Sequence, residues 1–210
     1  MPPHLQTIAL EHLPESHSIH IALYRNLRNA AFLHQQLLAG NTDFEYALID
    51  ASVIVSKLHI LAAAYRACND ALAGRLKSRN IHSEVVFSLS PNNNIAESFR
   101  RFGIAPTTTS LIVIKIAPAS TAGSIAEHLG AVVEGDAVEF TDAELSALVD
   151  VKRVKKVYKL GAASGGGGEG KGGKKGANLN GVRQVKSEED ERKELGVAVL
   201  GMMALRGATN

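Results

Sequence analysis

Seven side chains with ionic or proton-transfer chemistry crowd one stretch of this chain: Lys57, His59, Arg66, Arg75, Lys77, Arg79 and His82. Five are Lys or Arg, and Asp70 is the acid among them, so the stretch is suited to meeting phosphates. His59 and Arg66 are seven residues apart and share a helix face. Asp70 stands four residues after Arg66, the spacing of a helix-surface ion pair, which gives that arginine a purely structural alternative. For Arg75–Arg79, nucleic-acid contact and a plain solvated loop fit the residues equally.

Other polar patterns lead nowhere. Gly165-x4-Gly170-Lys171 approaches a phosphate-binding loop, but Gly172 replaces the Ser or Thr that would hold magnesium, and the setting is low-complexity glycine. His82-x-Glu84 resembles the opening of a zinc deaminase motif, yet the chain has one cysteine, Cys68, and cannot supply the second half. His17-x-x-His20 lies in or beside an irregular N-terminal segment and reads as surface histidines. Gly-x-Ser-x-Gly and Ser-x-x-Lys do not occur. We therefore expect no catalytic residues, no metal and no cofactor.

The elements that must carry the cluster follow from apolar spacing. His20–Tyr24 and Tyr46–Asp50 read as strands, with a helix between them capped by Asn29 and closed by Gly40. Residues 53–73 form the longest helical pattern, with Ile54, Leu58, Leu61, Tyr65, Cys68 and Leu72 as its expected inward stripe. Glu84–Leu89 reads as a strand. Asn94-x-x-Glu97 resembles a capping box opening a helix on which Ile95, Phe99 and Phe102 share a face. Thr109–Ile116 reads as a strand buried on both sides, followed by helices at about 121–133 and 141–149. In 151–160 the valines face inward and the lysines face water.

The domain plan is an α/β (α+β) fold: a sheet domain over 1–160, a Gly/Lys-rich insertion expected to be disordered over 161–186, and a tethered helix over 187–210 that packs back on the core. From Lys152 to Lys186 there are ten Lys or Arg against Glu169 alone, in a chain whose net charge is only +2. That asymmetry fits a polyanion contact or a solubilised linker. No signal peptide is visible, and Leu195–Leu205 is too short to span a bilayer, so we expect a soluble intracellular protein without a membrane partner.

Several ordered motifs carry a resemblance. His59-Ile-Leu-Ala-Ala-Ala-Tyr-Arg66, Lys77-Ser-Arg79-Asn80-Ile-His82-Ser-Glu84, Leu89-Ser-Pro-Asn-Asn-Asn-Ile95, Arg100-Arg101-Phe-Gly103 and Val154-Lys-Lys-Val157-Tyr158-Lys159 resemble the PRPK-binding protein family. Its members are the small kinase-binding subunit of the KEOPS (EKC) complex, and residues 161–186 resemble the insertion of fungal members. The resemblance implies a non-catalytic subunit that binds a small atypical kinase/ATPase. Through that kinase it would reach the subunit that transfers threonylcarbamoyl to the adenosine beside the tRNA anticodon. It also implies tRNA contact, residence in nucleus and cytoplasm, and a telomere-linked role in fungi. For the kinase surface we single out Ile95, Phe99 and Arg100, and Leu200 and Met203 on the last helix, with Leu195, Val199 and Met202 facing the core. For tRNA we single out the seven residues of the cationic cluster. A stand-alone RNA-binding module using loop and tail is the alternative.

Overall fold

The structure is a computed structural model that describes residues 3–160 and 187–206. In chain order its elements are β1 (Gln6–Ile8), β2 (Ser18–Arg25), α1 (Ala30–Ala39), β3 (Ala47–Asp50), α2 (Lys57–Leu72), α3 (Ile81–Ser88) and α4 (Ile95–Phe102). There follow β4 (Leu111–Ala117), α5 (Ala122–Val132), β5 (Asp136–Val138), α6 (Asp142–Leu148), α7 (Val151–Val157) and α8 (Glu188–Ala204). The mixed α/β fold is as expected. The anticipated insertion at 161–186 lies outside the described residues.

The strands form one antiparallel sheet in the order β1-β2-β4-β3, with β5 also pairing β2. β1 meets β2 at Ile19–Ile21 and β5 meets it at Leu23–Arg25, so the two short strands follow one another along one edge. The other edge of β2 pairs with β4 from Ser18 to Tyr24. Period-two alternation sorts the side chains to two faces. Ile19, Ile21, Leu23, Ile112, Ile114 and Ile116 join the larger core, with residues of α2, α3, α4, α6, α7 and α8. Ala22, Tyr24, Leu48, Leu111 and Val113 join the smaller one beneath α1 and α5.

His20, read as a surface histidine, is instead 0% exposed on β2, bonding the Thr7 hydroxyl and the Pro118 carbonyl, and two element expectations are corrected as well. Glu84–Leu89 is not a strand but most of α3. Asn80 caps that helix by accepting from the Ser83 amide at 2.8 Å. Val85, Val86 and Phe87 are all buried, and a short helix enclosed on every side shows no 3.6-residue alternation. The second correction concerns the inward face of α2. Ile60, Ala63, Ala64, Ala67 and Cys68 are buried there, whereas Leu58, Tyr65 and Leu72 are exposed. Alanines let α2 approach its neighbours closely, and the larger apolar residues are left facing out.

Candidate macromolecule-binding surfaces

The cationic loop begins where α2 ends, just before Gly74 in the left-handed conformation (φ 64°). Its backbone is held from below by Glu84, which is fully buried on α3. One carboxylate oxygen accepts from the Lys77 amide at 3.0 Å, the Ser78 amide at 2.8 Å and the Ser78 hydroxyl at 2.6 Å. Asn80 donates to Glu45 at 2.6 Å and fixes the far end. Arg75, Lys77 and Arg79 thus stand exposed on an anchored backbone. Arg75 bonds Asp70 at 3.3 Å. The Arg79 guanidinium lies against Gly40, where a Cβ would come within 3.0 Å of it and where φ is 68°. Lys77 and Arg79 have no ion pair among the described residues.

Of the other four predicted tRNA contacts, Arg66 reaches the loop only through the Asp70 carboxylate it shares with Arg75, and Lys57, His59 and His82 do not join it. Lys57 starts α2, a 16-residue helix, so it sits about 24 Å along the axis from the loop. Its ammonium lies 5.7 Å from the centre of the Phe140 ring. Arg66 is half-buried and donates to the Met203 carbonyl at 2.9 Å. It also stands 4.0 Å from Asp70, the structural alternative its spacing allowed.

His59 and His82 are corrected from RNA contacts to core residues. His59 is 0% exposed. Its Nδ1 accepts from the Val55 amide at 3.4 Å, its Nε2 donates to the Tyr158 hydroxyl at 2.9 Å, and Tyr158 donates to the Leu89 carbonyl at 2.6 Å. Every polar atom of that chain is satisfied by a neutral ring, and burial pushes its pKa down to about 3. His82 accepts from the Ile116 amide at 3.1 Å through Nε2 and so ties α3 to β4. Burial first, then nearby Lys115, pushes it down to about 3 as well. Both sit in helices at positions where a buried His and a surface His look alike in sequence.

The apolar candidates lie on α2 and α8. The inward face of α8 is Leu195, Val199 and Met203, all buried, at spacings of four. Met203 is therefore corrected from partner contact to core, and Met202, expected inward, packs half-buried against the same core. Leu200 is half-buried at the border of the helix's two faces. Beside it runs an open groove of about 920 Å³ between α2, α6 and α8. Val55, Leu58, Gly196, Val197 and Leu200 give it apolar walls, and charged residues from the first turns of α8 rim it. Leu58 is 60% and Val197 72% exposed. Reading the α2 stripe as inward hid Leu58, although the stripe itself was the signal.

On α4, Asn94 accepts from the Glu97 amide at 2.9 Å, as its capping pattern requires. Phe102 is fully buried, Phe99 packs half-buried against the core, and Ile95 remains 37% exposed in the first turn. Glu97 pairs with Arg100 and Arg101. Arg100 stays exposed, while Arg101 also donates to the Val157 carbonyl at 3.0 Å. Cys68 is buried, and burial pushes its thiol up to about 11. Among the described residues no group of three or more His, Cys, Asp or Glu could hold a metal ion, and no helix is long and apolar enough to cross a membrane.

Comparison with known proteins places these surfaces in context. A family model described as "Kinase binding protein CGI-121" matches residues 24–207. The chain is 50% identical over 207 residues to "EKC/KEOPS complex subunit cgi121" of Aspergillus fumigatus, covering 98% of each chain. The protein of that name from Gibberella zeae is 44% identical over 210 residues, covering 97% of this chain and 98% of the relative. That of Schizosaccharomyces pombe is 40% identical over 147 residues, 70% of this chain and 84% of the relative.

Proposed function

The chain belongs to the CGI-121 family of kinase-binding proteins, and from that premise we propose that it is a non-catalytic KEOPS/EKC subunit that seats the complex's small atypical kinase/ATPase in the groove between α2 and α8. The observation that carries this is that outward apolar residues of two helices meet in one groove: Leu58 of α2 and Val197 of α8 stand in water beside Leu200 along the same walls. Their exposure has no use within the monomer. A partner helix or sheet face laid on them would remove this surface from water, with the charged first turns of α8 forming the rim.

The kinase would in turn link this subunit to the one that transfers threonylcarbamoyl to tRNA. The anchored loop bearing Lys77 and Arg79 would meet that tRNA's phosphates, which keeps a direct RNA-binding role in view as the second reading. Ile95 and Arg100 on α4 remain candidates for a smaller kinase contact, because both are exposed on a rigidly capped helix.

Leu58→Asp combined with Val197→Asp tests the groove. Both side chains are exposed, so the variant should keep the wild-type circular dichroism and thermal midpoint. It should no longer capture the kinase subunit on co-expression. Capture at the wild-type level would remove the groove from consideration.

A further inference from the structure

The C-terminal end of α8 is fastened by two arginines, and each leads to a carboxylate that also holds the basic loop. Arg66 on α2 donates to the Met203 carbonyl at 2.9 Å and stands 4.0 Å from Asp70, which takes Arg75 of the loop at 3.3 Å. Arg206, only 5% exposed, donates to the Phe87 carbonyl and lays its guanidinium 4.0 Å from the centre of the Phe87 ring. Phe87 lies one turn along α3 from Glu84, whose carboxylate takes the amides of Lys77 and Ser78 and the Ser78 hydroxyl. Glu84 and Asp70 are the acids whose charge acts on Arg206. Glu84 keeps one oxygen, and Arg206 its Nε, buried without a hydrogen-bond partner among the described residues.

Two paths therefore run from the C-terminal end of α8 to the loop, one of polar contacts through Arg66 and Asp70, the other from Arg206 through the backbone of α3 to Glu84. A buried carboxylate taking three donors holds its partners in one geometry, and loss of a neighbouring buried cation changes what that geometry is worth. We propose that Glu84 and Arg206 are positioning residues that join the seating of α8 and the order of the basic loop into one cooperative unit. A partner on the outward face of α8 and a polyanion on the loop then bind with positive linkage, because each stabilises the arrangement the other needs. The linkage rests on the proposed function; the tie between helix and loop does not.

Amide hydrogen exchange in the full chain tests the tie without any partner. Arg206→Met should speed exchange at the Lys77 and Ser78 amides by about tenfold, the scale of a hydrogen bond to a charged group. The reciprocal variant is Ser78→Ala, which removes only a loop hydroxyl. It should speed exchange at the Leu205 and Arg206 amides, which bond the Gly201 and Met203 carbonyls. Val197→Asp, in the groove, should leave both pairs of amides unchanged. Effects confined to the mutated side in both variants would overturn the proposal, and if Arg206→Met does not fold, Ser78→Ala decides alone. Loss of kinase capture in Val197→Asp bears on the docking surface and leaves the tie standing.

Discussion

The tautomer of His59 follows from its neighbours. Tyr158 spends its proton on the Leu89 carbonyl, so the imidazole must donate from Nε2 and accept at Nδ1. Tyr158→Phe would leave both the ring N–H and that carbonyl unsatisfied in the core, and should cost about 1–3 kcal/mol in denaturant unfolding. His59 and His82 also set a pH window. Their folded pKa values of about 3 lie below the ordinary 6.5, so the unfolded chain binds protons that the folded chain refuses. Stability should therefore fall as pH drops from 6.5 toward 3, and these two rings should not affect it above that window. Unfolding at pH 5 should take up about one proton per ring, and His82→Gln should remove one of them. An unchanged proton count would mean that His82 titrates normally in the fold. Neither burial was legible from sequence. Lys57, His59 and Arg66 share one stretch, and because His59 and Arg66 even share a helix face, periodicity does not tell the ring in the core from the half-buried cation.

Helix ends were the more readable elements, although Asn29, expected to cap α1, makes no side-chain cap and instead donates to the Val132 carbonyl and accepts from the Glu134 amide. The Asn94 and Thr141 caps accept from Glu97 and Glu144, as the spacing of those residues indicates. Helix faces were less readable where alanine does the packing. On α2 the small residues went in and Leu58, Tyr65 and Leu72 stayed out, because hydrophobicity alone does not tell which apolar stripe a neighbour covers. On α8 the four-residue step from Leu195 through Val199 reaches Met203, and neighbouring Met202 offered an equally apolar alternative. Its glycines carry a separate prediction. A Cβ added at Gly196 or Gly201 would meet nothing within 4 Å, so this chain gains nothing from their smallness and bears a helix-propensity cost. Gly196→Ala and Gly201→Ala should each raise stability by about 0.8–1 kcal/mol. If the partner's backbone approaches there, the same changes should weaken kinase binding. A gain in stability with affinity unchanged would move the interface off this face.

Across the whole molecule, apolar and cationic surfaces occupy different places: the groove lies beside the start of α2, and the basic loop follows its end. Without a polyanion bound, side-chain changes at the two should therefore act separately, because the tie between α8 and the loop runs through the loop's backbone amides. Lys77→Glu with Arg79→Glu should flatten the dependence of log affinity for tRNA on log salt by about 1.4, the share of two phosphate contacts on a single strand. An unaltered slope would make the loop a solvated one. The measurement closest to the central claim is calorimetric titration of the kinase subunit with the full chain, its groove variant (Leu58→Asp, Val197→Asp) and its loop variant. A docking surface built from the groove predicts that the groove variant loses at least about a hundredfold in affinity, equivalent to about 2.7 kcal/mol, and that the loop variant binds like wild type. Full affinity in the groove variant, with the loss falling on the loop variant instead, would contradict it.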